Sequence, residues 1–168
     1  MMLALLPMIA MIAPIQEESS FTTFARVDGW HIAQSQKAKS CAAITHFDGG
    51  SDLSVHWRPL DNRVFFFVSD DSLGWAQANM TYTLSPMMLR GKELDASWGD
   101  VEGRGSEGGD KPGFFFGITG EKALDDFATA EIFGVLHDGE VAISLRVDAP
   151  GKLVAEMKRC GAQIKAAQ

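Results

Sequence analysis

Short apolar runs, separated by Gly, Asp, Asn and Pro, dominate the chain after residue 20. Runs of this kind, bounded by turn-forming residues, are typical of antiparallel β-strands. Two further segments, 122–130 and 150–160, place apolar residues at helical spacing and predict helices. The predicted strands are 30–36, 41–47, 53–58, 64–69, 81–84, 113–118, 132–137 and 141–147.

These elements predict a mainly β fold, which we expect to be an antiparallel β-sandwich or flattened barrel with a short helix and a C-terminal helix packed on it. The chain has 168 residues, of which 46% are hydrophobic and 22% charged. That length and composition suffice for one domain with its own core. We therefore expect a single β-rich domain over residues 17–168.

The sequence Asp138-Gly139 lies between two apolar runs and predicts a tight hairpin turn. A two-residue turn there pairs His137 with Glu140. Continued without interruption, this register predicts one apolar face made of Ile132, Gly134, Leu136, Val141, Ile143 and Leu145.

An earlier Gly-rich turn, after the second predicted strand, allows two registers. A two-residue turn pairs Ile44 with Val55, whereas a three-residue loop pairs Thr45 with Val55 and turns both His46 and His56 outward. The two are exclusive, because a slip of one residue moves every side chain to the other face of the sheet. We favour the three-residue loop, which also buries a phenylalanine, and keep the other as the alternative.

The N-terminal segment is the main indication of cellular location. Residues 1–13 carry no charge, and a polar stretch follows. Thirteen residues are too few for a membrane-spanning helix, which takes about 20, but they are typical of the apolar part of a secretory signal. We expect a signal peptide over residues 1–16 and a periplasmic or secreted protein. An uncleaved anchor, or a buried N-terminal strand or helix, is the alternative.

Cys41 and Cys160 stand far apart and form no C-x-x-C motif. In an exported protein such a pair predicts a structural disulfide. Cys160 shares a helical stripe with Leu153 and Met157, and the favoured hairpin register turns Cys41 toward the same interior. Two buried free thiols in a cytosolic protein are the alternative interpretation.

Charge and motifs exclude several classes of function. The net charge is −7 and the basic residues form no cluster, which argues against nucleic-acid binding. Gly103, Gly105 and Gly108 match G-x-G-x-x-G, but acidic residues surround them and no helix follows. We therefore predict a surface loop over 98–112, no cofactor, and a strand at 114–116 that is buried on both faces.

The histidines raise a metal hypothesis. In the favoured register His46 and His56 are diagonal neighbours on the outward face, with β-carbons roughly 7–8 Å apart. A zinc site needs three or four ligands, and Asp48 or Asp70 could approach as a third. Ordinary polar strand residues are the simpler interpretation. The metal hypothesis gives the alternative function, a metal-binding protein or metal-dependent hydrolase.

The order of several short motifs is similar to that of known proteins. Over residues 28 to 160 the chain resembles a group of small exported bacterial proteins of unknown function and, more distantly, the invasion-associated locus B type of periplasmic β protein. The resemblance implies an exported β protein and no catalytic residues. It rests on Trp30, Cys41, Trp75, Tyr82-x-Leu84, Leu124-Asp125-Asp126-Phe127-Ala128, Asp138-Gly139 and Arg159-Cys160.

Together these observations predict a non-enzymatic binding or structural module of the cell envelope. Its expected partner is another envelope protein or a small ligand. We identify no catalytic residue in the sequence, because no serine lies in a nucleophile motif and no nucleophile–base arrangement is recognisable.

Overall fold

A computed structural model describes residues 21–108 and 110–167. The predicted signal peptide, residues 1–16, lies outside the described residues. The helices are α1 (Lys122–Ala128) and α2 (Pro150–Ala166), and a 3₁₀ turn covers Asp71–Leu73. The strands of the described residues are β1 (Thr22–Val27), β2 (Trp30–Ser35), β3 (Ser40–His46), β4 (Asp52–Arg58), β5 (Arg63–Ser69), β6 (Thr81–Arg90), β7 (Glu93–Ser97), β8 (Val101–Gly108), β9 (Lys111–Thr119), β10 (Ile132–His137) and β11 (Glu140–Arg146).

All the strands belong to one antiparallel sheet, which confirms the predicted fold class. Its order is β1-β2-β3-β4-β5-β9-β8-β6-β10-β11, and β7 pairs with the second half of β6. Three strands separate β5 from β10 in that order, yet the rings of Phe66 and Phe133 stack with centroids 5.4 Å apart. The sheet therefore curls back on itself into a flattened barrel that is not closed.

The two helices fill the concave side of the sheet. Helix α2 packs against β1 to β4 and against α1. Its buried stripe includes Leu153, Met157 and Cys160, as predicted, and continues to Ile164, so the helix runs six residues beyond the predicted end. We use the term outer face for the opposite side of the sheet, which points away from both helices.

A disulfide joins Cys41 of β3 to Cys160 of α2, which confirms the predicted bridge. The two Cα atoms are 6.3 Å apart, and both cysteines are fully buried. The next helix residue, Gly161, lies directly on the indole of Trp57, where an added β-carbon would come within 2.2 Å of the ring. Glycine at this position lets α2 approach β4 closely.

The first hairpin adopts neither of the two registers considered from sequence. Thr45 pairs with Leu53 rather than with Val55, and the Phe47 amide donates to the Ser51 carbonyl at 2.9 Å, so residues 47–51 form a longer loop. The observed pairing differs from the favoured register by two residues. Because side chains alternate with a period of two, the same side chains of β3 and β4 still point inward, as predicted. The favoured register would have placed Asp52 opposite Asp48, a like-charge pair. In the structure Asp52 lies opposite His46.

The second hairpin has the predicted turn, with positive φ at both Asp138 (52°) and Gly139 (78°). His137 pairs with Glu140, and the next pair also agrees with the prediction. A bulge then shifts the register by one residue, so that Phe133 lies opposite Leu145. The predicted apolar face was therefore wrong for β10.

The buried side of β10 consists of Phe133 and Val135, while Val141 on β11 is 66% exposed. The bulge allows the large Phe133 ring to enter the core against Phe66 and Phe127. The free energy gained by burying this aromatic ring outweighs the cost of interrupting the regular β10–β11 pairing that the sequence pattern predicted.

The Gly-rich stretch predicted as a loop is strand β8, paired with both β6 and β9. Glycine is required here for close approach. A β-carbon on Gly103 would lie 2.3 Å from the Leu84 side chain, and one on Gly105 would lie 2.0 Å from the Gln77 carbonyl oxygen. The absent side chains let the 75–80 segment cross over the sheet, so these glycines build a strand and not a phosphate loop.

Candidate functional site

An open hollow on the outer face of the sheet brings together aromatic and polar side chains from β3, β4, β5 and β9. We call it the aromatic groove. Its volume is about 280 Å³. It is lined by Ser40, His56, Arg58, Phe65, Phe67 and Phe115.

The strand period of two explains why phenylalanines line this hollow. Val64, Phe66 and Val68 of β5 point into the core, so Phe65 and Phe67 between them must point outward. The register between β5 and β9 then places Phe67 directly opposite Phe115.

Phe115 is 37% exposed, although both of its neighbours are buried. The prediction that strand 114–116 is buried on both faces was therefore wrong. A phenylalanine on an outward position of a central strand, next to two other half-buried rings, leaves apolar surface open to a ligand.

His56 forms the opposite wall of the groove. It pairs across the sheet with Phe65, and the ring of Phe21 meets it edge-on with centroids 6.5 Å apart. Burial among these rings lowers the pKa of His56 below its ordinary value, which favours the neutral imidazole. The groove wall is therefore uncharged at this position at neutral pH.

The Nε2 atom of His56 lies 3.2 Å from the Ser54 hydroxyl. This contact does not make a catalytic pair, because Ser54 is buried and does not line the groove. No carboxylate among the described residues contacts the imidazole of His56 to orient it as a general base.

The structure does not bring His46 and His56 together. His46, on β3, lies opposite Asp52 of β4. His56 lies four residues beyond Asp52 on β4, about 13 Å from it at the ordinary rise per residue. The predicted diagonal neighbourhood was wrong because the true register pairs His46 with Asp52 and not with Ser54, two residues farther from His56. Within the part of the chain that the structure describes, no group of three or more His, Cys, Asp or Glu side chains could hold a metal ion.

His46 instead belongs to a polar network at the end of the sheet. Its Nδ1 atom contacts the Asp52 carboxylate at 2.5 Å, and the Ser69 hydroxyl donates to the other carboxylate oxygen at 3.1 Å. Partial burial alone would raise the pKa of Asp52, but these hydrogen bonds and the charges of His46 and Lys111 together lower it. Because Asp52 lies between them, Ser69 and His46 do not form a nucleophile–base pair.

A second hollow, of about 200 Å³, lies beside this network and contains Asp28, Asp48 and Asp148. Two of the charged or ionisable side chains that line it take part in contacts within the fold. Lys152 binds Asp28 at 3.0 Å, and His46, which also lines the hollow, contacts Asp52. The aromatic groove is the better candidate site, since its apolar surface is left without a partner.

No family model, curated protein or solved structure matched this chain, so the groove is interpreted from its own geometry. In the two described ranges, 21–108 and 110–167, neither helix has the length and apolar character needed to cross a bilayer.

Sequence reasoning did not identify the groove, although a signal for it was present. The chain contains two runs of three phenylalanines, 65–67 and 114–116. Three consecutive aromatic residues on a strand place at least one ring on each face. With the core on one face of the sheet, each run leaves at least one ring on the other face, and only a cover over that second face, as predicted for 114–116, would bury it.

The lowered pKa of His56 predicts a pH-dependent stability. Below the ordinary value of 6.5 the unfolded chain binds the proton more readily than the folded protein does, so acidification destabilises the fold. Relative to a His56→Gln variant, the wild-type free energy of unfolding should fall as the pH drops below about 6.5. Urea unfolding at a series of pH values measures this difference, and parallel curves for the two proteins would contradict it.

Proposed function

We propose that this protein is an exported binding module without catalytic activity, and that its aromatic groove holds the apolar ring of a small organic ligand. The observation that carries the proposal is the cluster of Phe65, Phe67 and Phe115 on the outer face, opposite the core. Rings left half-exposed on a rigid sheet form a preorganised surface for a flat apolar group.

The size of the groove favours a small ligand over a protein partner. Its volume of about 280 Å³ is close to the lower limit for small-molecule sites. A stable protein interface buries about 800 Å² on each partner, far more than these few side chains offer. An aromatic ring fits the hollow, since ring pairs pack with centroids about 4.5–7 Å apart.

Two observations support export. The disulfide between Cys41 and Cys160 is compatible with an oxidising compartment, because thiols in the cytosol are kept reduced. The apolar segment at residues 1–13 has the character of a secretory signal.

A pair of variants tests the groove. Isothermal titration calorimetry should show saturable binding of naphthamide, an uncharged two-ring probe, to the wild-type protein. Phe67→Ala or Phe115→Ala should weaken that binding about tenfold, because each removes part of the apolar wall.

The matched control is Leu94→Ala. Leu94 is an exposed apolar residue on β7, outside the groove, and its loss should leave naphthamide binding unchanged. Circular dichroism checks that each variant is folded. Absence of saturable binding to the wild type, or groove variants that bind naphthamide as tightly as the wild type does, would refute the proposal.

A further inference from the structure

We infer that the natural ligand of the aromatic groove is an anion, an aromatic carboxylate whose charge is held by Arg63; this rests on the function proposed above. The inference comes from the arginines that surround the groove in a protein whose overall net charge is −7.

Arg63 is exposed, and its guanidinium lies over the ring of Phe65 on the outer face. Its guanidinium carbon is 4.8 Å from the centroid of the Phe65 ring, which itself lines the groove. The absence of a side chain at Gly117 makes room for it, since a β-carbon there would lie 3.2 Å from Nη2 of Arg63. Stacking on an aromatic face leaves the N–H groups at the edge of the guanidinium free to bind a carboxylate.

Arg63 is opposed by a like charge. It lies directly across from Arg58 in the β4–β5 ladder, an arrangement that disfavours the pairing. Asp61 forms an ion pair with Arg58, whereas Arg63 has no ion pair with any described residue. A bound anion would supply the missing countercharge.

A third arginine borders the other side of the groove. Arg104 lies opposite Phe115 in the β8–β9 ladder, and within the described ranges it forms no ion pair. Glu102 occupies the same face of β8 and is likewise not ion-paired to any described cation. The pairing of these strands therefore brings Arg58, Arg63 and Arg104 to the borders of the groove, with the carboxylates Asp61 and Glu102 near them.

An aromatic carboxylate satisfies both features of the site. Its ring would pack against Phe67 and Phe115, while its two oxygens match the paired N–H donors of a guanidinium. A neutral ring would use the apolar wall only. The charge should therefore contribute affinity in addition to that supplied by the ring.

The test compares two probes of nearly the same shape, naphthoate and the uncharged naphthamide, by calorimetry at neutral pH and low salt. Wild-type protein should bind naphthoate about tenfold more tightly or better, as expected for a charge-assisted hydrogen bond. Arg63→Gln should reduce that ratio to near one. Arg146→Gln, which removes an exposed arginine of β11, is the matched control and should preserve the ratio.

The outcomes separate the two proposals. Equal binding of both probes to the wild type would overturn the anionic ligand and leave the groove as an apolar site. An undiminished ratio in Arg63→Gln would overturn the assignment of Arg63. If neither probe binds, the proposed function itself fails.

Discussion

Replacing Cys41 and Cys160 together by alanine should lower the free energy of unfolding by about 4–5 kcal/mol, in the chain-entropy account of a cross-link between residues 119 positions apart. The bridge restricts the unfolded chain and holds helix α2 against β3. Urea unfolding of the double variant and the wild type, followed by circular dichroism, measures the loss.

The wild-type protein treated with reductant is the matched control, since it should approach the stability of the double variant. Intact mass before and after alkylation confirms whether the thiols are free. A loss below about 1 kcal/mol would mean that the bridge adds little to the fold.

The second large effect is expected at Phe127. This residue belongs to helix α1, and its ring is completely buried in the core. It contacts the rings of Trp30, Phe66 and Phe133, whose centroids are 6.2, 5.6 and 5.9 Å away. Phe127→Ala should lower the free energy of unfolding by about 3–5 kcal/mol. The ring fills the space between two regions of the curled sheet, and we expect the short helix α1, of seven residues, to be unable to shift enough to fill the resulting cavity. Urea unfolding of the purified variant measures the cost.

Phe21→Ala provides the control for Phe127→Ala. Phe21 is 40% exposed on the outer face. Its truncation to alanine should lower the free energy of unfolding by less than about 1 kcal/mol. Similar losses of unfolding free energy for the two variants would contradict the burial of α1 in the core on the concave side of the sheet.

The arrangement of helices and groove has a functional consequence. Both helices and the disulfide lie on the concave side, where α2 packs against β1 to β4. In the proposed function, the outer face presents side chains to a ligand. Because Phe65 and Phe67 alternate with core residues, their positions are fixed by the same packing that stabilises the protein.

Much of the fold could be predicted because its signals are local. The turn at Asp138-Gly139 depends on two residues, and the buried stripe of α2 on helical spacing alone. The register of the first hairpin could not be predicted in the same way. It depends on the partner across the sheet, here His46 against Asp52, which the pattern of one strand does not specify.

The strands missed from sequence share a physical cause. β1 and β7 are largely exposed, so they lack the alternation that marks a half-buried strand. β8 contains glycines that ordinarily indicate turns, but here they admit neighbouring backbone and side chains at Gly103 and Gly105. Such close approaches are visible only in three dimensions.

The candidate site was less predictable than the fold. His46 and His56 were singled out by residue type, and only the register decides whether they meet. The phenylalanines of 114–116 were all assigned to buried positions because aromatic residues usually lie there. Which of them face outward depends on which side of the sheet the helices cover.

The most direct test of the groove is a titration of the protein with naphthoate, followed by two-dimensional NMR spectra of the backbone amides. We expect the shifted amides to cluster on β4, β5 and β9, around His56, Phe65 and Phe115, and the amides of β7 to stay in place. Shifts concentrated on the β10–β11 hairpin or on α2, or no shifts at all, would contradict the assignment of the aromatic groove as the binding site.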